Sequence, residues 1–567
     1  MTARSRLGLL AVTALILGAC ATRPAGPAAR PTAAAKAPAA PTVALPATSL
    51  TEDERILHGL SRLGYGPRPG DVERVRRQGL GQWIAAQLRP ESIPDEAVGP
   101  ALAVYRTVGM SAADLAREYP MPPPTVRQEA RAGDMSPREM REAYPPERRP
   151  YAITAELQSA KLVRAIASER QLQEVMVDFW FNHFNVFAQK GAVRWMISAY
   201  EREAIRPHAM GRFRDLVVAT ARHPAMLFYL DNWLSTRADL VPMAGPARGR
   251  RLGLNENYAR ERMERHTLGV DGGYTQDDVI EVARCFTGWT INLPDQGGGF
   301  VYRPQRHDGG AKRVLGHTIP AGGGERDGLE VIDLLARHPS TARFVATKLV
   351  RRLVSDEPPP ALVERVARTF RDTDGDIRAM LATIVTAPEF FSEAAYRAKI
   401  KKPLEVVASA ARALDVHLAP PATGGGTGLF GGGYSLARQV AQLGEPLYEA
   451  QPPTGHPDVA EAWVNTGSLL ARMNFALGLA QNRYPGVKVD LATALGDVDR
   501  GRPAAVLDRV LALALNGRVT SETTAVLRAQ LDSPEIRRAT SDDRGPANTD
   551  VEKLAALVLG SPEFQRR

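Results

Sequence analysis

From Leu50 to the end of the chain, apolar residues return at steps of three and four. ERILHGLSRLGYG, GDVERVRRQGLGQWIAAQL, AELQSAKLVRAIASERQLQEVMVDFWFNHF, STARFVATKLVRRLV and PALVERVARTF all keep this period, which gathers the apolar side chains of each segment on one helical face. Strand-like alternation is scarce. Only GGGFVYRP and KRVLGHTI read as extended, and together they predict at most one short β-hairpin near 299–319, with His307 and Asp308 in the loop between its strands. The expected fold is mainly α, a large single multi-helix domain over 50–567, with the segment after Pro485 open to being a semi-independent tail.

Two stretches break the helical period. Residues 119–150, YPMPPPTVRQEARAGDMSPREMREAYPPERRP, are proline-bounded and highly charged, and predict a short helix lying across the surface. Residues 420–435, PPATGGGTGLFGGGYS, lack the Gly-Lys-Ser/Thr ending of a phosphate-binding loop and read as a cover or connector.

The first 49 residues carry a different signal. Arg4 and Arg6, an apolar run from Leu7 to Leu17 and the small residues before Cys20 form an export signal over 1–19, too short to span a bilayer permanently. LGAC resembles the lipobox of bacterial lipoproteins, which implies lipidation at Cys20, and Ala21 after it points to the outer membrane. Residues 20–49 are mostly alanine, proline and threonine and predict an unfolded tether from that anchor. Beyond Cys20 only Cys285 remains, so no internal disulfide is expected; a body of this size buries a core without one. Cys285, in EVARCFTGW, reads as a core filler rather than a nucleophile.

The formal net charge is +9, and lysine supplies few of the 72 basic residues. No basic run interleaved with aromatics appears, so nucleic acid is not an expected partner, whereas anionic envelope polymers are compatible with the charge.

Read in order, MVDFWFNHFNVF, IRPHAMGRFRDLV, HPAMLFYLDN, NENYARERMERHTLGVDGGYTQDDVIEVARCFTGWT and RHDGGAKRVLG resemble the exported bacterial family catalogued as domain of unknown function 1800. LSRLGYGPRPGDVERV is similar to that family's start, and ARHPSTARFVATKLVRRLV and LLARMNFALGLA to its later segments, so the resemblance runs over residues 54–482. It implies export, and a second exported protein encoded nearby as a partner. It implies no activity. Where the family tends to read ARELLELHTLG, this chain has Arg262 and Arg265 in place of two leucines, so a helical stripe shared with Tyr258 becomes cationic and its packing is in question.

Candidate chemistry concentrates in the same motifs. In NENYARERMERHTLG, Asn255 suits an N-cap, and Glu256, Arg260 and Glu264 have the spacing of a surface ion-pair ladder. Thr275 and Asp278 have the spacing of a capping box. Two residues are left over: His266, on a stripe with Ala259 and Met263, and Glu261, on an adjoining stripe with Asn257 and Glu264. In LQEVMVDFWFNHFNVF, His183 shares the inward face of Leu172, Met176 and Phe179, while Asp178, Asn182 and Asn185 make a separate polar stripe. DTDGD at 372–376 fails as a calcium loop because no glutamate closes it, and Asp376 reads as a cap. No Gly-x-Ser-x-Gly elbow, zinc-protease helix or Cys-x-x-Cys pair is present.

Two functions compete on these residues. One is an envelope-anchored outer-membrane lipoprotein, periplasmic or surface-facing, that binds or scaffolds an exported partner. The other is a metal- or acid/base-assisted, hydrolase-like enzyme acting on an envelope polymer or exported small molecule. Its catalytic candidates are His183, Glu261, Glu264, His266, His307 and Asp308. His183, Glu261, His266 and His307 are the candidate ligands of a divalent transition metal such as zinc, iron or manganese. These imidazoles and carboxylates are expected to share one polar pocket.

Overall fold

The computed structural model describes residues 42–238, 240–241, 253–421, 431–533, 536–538 and 548–567. The signal segment 1–19, Cys20 and the tether as far as residue 41 lie outside the described residues, as do 422–430 of the glycine-rich stretch. Pro41–Arg567 forms one compact unit, mainly helical, around a continuous apolar core. Among the described residues no helix is long and apolar enough to cross a membrane.

The local sequence signals explain most helix ends. Asn255 caps Glu256–Glu264 by accepting from the Tyr258 N–H, Thr275 and Asp278 close a capping box on Gln276–Cys285, and Asp376 caps Ile377–Val385. The charged stretch 119–150 makes two short surface helices rather than one, Pro124–Ala132 and Pro137–Ala143, each started by proline in its first turn.

Four further expectations are corrected. The two extended segments do not pair with each other: Phe300–Tyr302 pairs with Trp289–Ile291, and Lys312–Val314 pairs with His317–Ile319. The second hairpin closes through Leu315 and Gly316, both at positive φ (49° and 79°), the conformation of a two-residue turn that matches strand twist. Two-residue strand pairs also occur at His417–Leu418 with Val487–Lys488 and at Arg537–Arg538 with Asn548–Thr549. The ordered body begins before residue 50, because the Val43 N–H donates to Gly81 O at 3.1 Å and Val43 and Leu45 pack on the core. The segment after Pro485 is integral: Val551–Leu559 packs on Thr466–Ala480, and Arg567 exchanges backbone hydrogen bonds with Lys399. Gly431–Gln442 is helical, so the glycine-rich connector ends earlier than its composition suggests.

Candidate functional site

The helix Gln171–His183 positions the site through its two faces. Its apolar face is core. Its polar face, with Asn185 just past its end, ties down the segment that follows Gly444: Asn182 Nδ2 donates to His456 O at 2.8 Å, the His456 N–H donates to Asn182 Oδ1 at 2.7 Å, and Asn185 Nδ2 donates to Ala450 O and Pro452 O at 2.8 and 2.9 Å. Gly455 permits this approach, since a Cβ there would stand 2.4 Å from Asn182 O. The helix Pro339–Leu353 completes the surround. Between them lies a cavity of about 250 Å³, lined by His183, Lys348, Arg351, Arg352, His456 and Asp458 among others.

Its floor is a buried ionic lattice. Arg352 pairs with Glu405 at 2.6 Å, Lys402 with Glu445 at 3.1 Å and Asp178 at 3.4 Å, and Asp178 with Lys161 at 3.0 Å. Burial alone would raise the acids, but Lys402 and Lys161 hold Asp178 well below the usual carboxylate range, and Arg352 and Arg567 bring Glu405 down to about 2. Every charge in this layer has an opposite neighbour.

The upper wall differs. Lys348 Nζ lies 2.9 Å from His183 Nδ1 and 5.5 Å from the Phe344 ring centroid, and Arg351 Nε donates to Asp356 O at 3.2 Å. Among the described residues neither cation forms an ion pair with a carboxylate, although Asp458 lines the same cavity. His183 Nε2 lies 3.1 Å from the His266 carbonyl, which accepts only an N–H, so Nδ1 is the acceptor and Lys348 the donor. Burial, and then the Lys348 charge, hold His183 well below the normal histidine range and therefore neutral. Burial also lowers Lys348 to about 8, partly offset by Asp458. The result is an imidazole that aims an ammonium into a cavity.

The expected single pocket does not form. His183 and His266 are neighbours, with ring centroids 6.1 Å apart, but the His266 imidazole is fully buried and neither of its nitrogens has a hydrogen-bond partner. Glu261 keeps one buried oxygen unpartnered, and burial raises its carboxyl. Glu264 stays in the predicted ladder, 3.6 Å from Arg260. His307 belongs to a different cluster: Nδ1 donates to Thr287 O at 2.8 Å, Nε2 is 3.0 Å from Asp327 Oδ2, and Lys312 Nζ contacts that same oxygen. Asp308 is taken up by a two-point pairing with Arg284 at 2.9 and 3.0 Å. Among the described residues no three His, Cys, Asp or Glu side chains converge to hold a metal ion. The donors also do not suit one, because His183 has both nitrogens engaged and an ammonium at its side. Cys285 is a buried core residue whose thiol burial pushes up to about 12.

Of the sequence candidates only His183 lines the cavity; Lys348, Arg351, His456 and Asp458 were not foreseen. One signal was available. In STARFVATKLVRRLV, Arg352 falls on the stripe of Val345 and Leu349, a charge at a core position, and the structure buries it.

A helical body with a neutralised ionic floor under a wall that carries Lys348 and Arg351, neither in an ion pair among the described residues, defines the class: an α-helical protein with a cationic pocket. The chain belongs to the family described as protein of unknown function DUF1800, whose model matches residues 58–566. That match runs past Pro485, in keeping with the integral C-terminal segment. No curated protein and no solved structure matches the chain.

Proposed function

We propose that this chain is an exported, lipid-anchored binding protein of the bacterial envelope, whose cavity captures an anionic group, carboxylate or phosphate, carried by an exported partner. The observation that carries this reading is the pair Lys348 and Arg351, two cations on one cavity wall without a carboxylate partner. Half-burying the Lys348 ammonium without a paired carboxylate is costly, as its lowered basicity shows, and an incoming anion offsets that cost. Arginine adds a planar fork suited to oxyanions. The same geometry weighs against acid/base catalysis by His183, since its acceptor nitrogen is occupied by Lys348 and its N–H by a carbonyl.

Titration calorimetry with sulfate, phosphate and glucuronate in low salt tests the pocket. At least one should bind the wild type and weaken with added salt, and the double variant Lys348→Met, Arg351→Met should bind none. Equal binding by that variant would refute the site. The anchor is tested separately by labelled fatty acid: incorporation into wild type and loss with Cys20→Ala support it, and identical membrane partitioning without label contradicts it.

A further inference from the structure

A second cleft shares no lining residue with the cationic cavity. It has about 50 Å³ of room, and its lining includes His58, Tyr396, Lys401, Ser409, Asn516 and Arg566. Lys401 precedes the helix Pro403–Ala413, and Ser409 sits two turns into it on the side facing back. Lys401 Nζ is 3.0 Å from Ser409 Oγ and 3.8 Å from the Phe564 ring centroid. Both side chains are buried, and among the described residues Lys401 forms no ion pair with a carboxylate. Its polar partner is a neutral hydroxyl. The other buried lysines near this layer differ: Lys402 has Glu445, Lys399 has Asp356 and Lys161 has Asp178.

Burial therefore acts on Lys401 with little opposition. Glu405 favours its charged form, while Arg397, Arg567 and Arg472 disfavour it, and the amine falls to about 7. Glu563 lines the same cleft. A neutral amine within hydrogen-bond reach of a serine hydroxyl is the minimal arrangement that activates serine without histidine. Ser409 is not locked elsewhere, since its hydroxyl makes only a long bond to Val406 O at 3.3 Å. A donor is also present: the Tyr396 hydroxyl, in the same lining, is buried without a hydrogen-bond partner. An orphaned buried donor lining the same cleft as a nucleophile is suited to an oxygen that becomes negative.

We infer that Ser409 and Lys401 form an acyl-transfer site for small esters or thioesters. Ser409 Oγ attacks the acyl carbon as its proton passes to Lys401 Nζ. The carbonyl π pair moves to oxygen, which accepts a hydrogen bond from a donor such as Tyr396. Collapse of that adduct expels the alkoxide or thiolate, which takes the proton from Lys401 and leaves acyl-Ser409. Water then repeats the sequence, releasing the acid and restoring the hydroxyl. The narrow room restricts the acyl group to about the size of acetyl.

The test uses the full-length protein with p-nitrophenyl acetate, quenched in acid and mapped by peptide mass. A gain of one acetyl group on the Ser409 peptide is expected, absent in Ser409→Ala. Its rate should rise as pH climbs through about 7 and then level off, because the base is the deprotonated amine. Lys401→Met should slow acetylation of Ser409 by about 100-fold or more while the thermal melt confirms a folded protein. Absence of acetyl on Ser409 in the folded wild type, acetylation confined to surface lysines, or an unchanged rate in folded Lys401→Met would each overturn the site. Should Lys401→Met fail to fold, the wild-type map and its pH profile decide alone.

Discussion

The molecule pairs a histidine with a lysine in two places, and the two places behave differently. At His307 the lysine, Lys312, shares Asp327 with the imidazole, and all three side chains are almost completely buried. At His183 the lysine, Lys348, meets the imidazole directly across 2.9 Å, with no carboxylate between them and a cavity in front. One cluster is closed and internally neutralised. The other is held open with a charge unmatched. Residue type alone therefore says little about role, and what separates structure from site is whether the counter-charge is supplied by the protein or left to a ligand.

The largest effect should come from breaking the closed cluster. Asp327→Ala strands Lys312 in the core and should cost about 3–5 kcal/mol of stability by chemical denaturation, whereas Lys348→Met should change it by about 1 kcal/mol or less. Equal losses would erase the distinction between the two lysines.

Ligand binding should show the reverse order. Arg351→Met alone should weaken the captured anion by about 10- to 100-fold, the worth of one charge-assisted hydrogen bond, and Asp327→Ala, if folded, should leave affinity unchanged. Calorimetry on both variants decides this.

A smaller effect follows from pH. Lys348 is lowered to about 8 in the folded protein, so it is charged below that pH and neutral above it. A bound anion favours the ammonium, so affinity should be flat below pH 8 and fall by up to about tenfold per unit above it. The same lowering means the unfolded chain holds that proton more tightly, so this lysine's contribution makes stability rise with pH above 8. Affinity that increases between pH 8 and 9.5 would contradict the assignment.

The smallest effect concerns another buried cation. Arg262 lies on the stripe whose packing the sequence left in question, and the structure buries its guanidinium over the Tyr258 ring, 4.9 Å from the centroid, with Thr220 as hydrogen-bond partner. Arg262→Leu should leave stability within about 1 kcal/mol of wild type or raise it, because a well-packed apolar group can replace a buried charge.

The helices and their caps were legible because they depend on spacing within a turn or two: Asn255, Thr275, Asp278 and Asp376 all do what their neighbours imply. The hairpins were misassigned because a leucine, Leu315, takes a positive φ that residue type does not announce. The site was legible only at His183. Lys348 and Arg351 look like ordinary polar positions on an amphipathic helix, and their unpaired state arises from what faces them across 165 residues of chain. The Asn182 and Asn185 staples are likewise pairings with backbone groups that no side-chain pattern encodes.

The central claim, that Lys348 is kept for an incoming anion, is tested most directly by proton uptake. Sulfate, which does not titrate in this range, would be added to the protein at pH 8.5 and the binding heat measured in buffers of different ionisation enthalpy. Uptake of a fraction of a proton in wild type, lost together with binding in Lys348→Met, is the predicted result. Sulfate binding with no proton uptake, or binding as tight in Lys348→Met as in wild type, would contradict it.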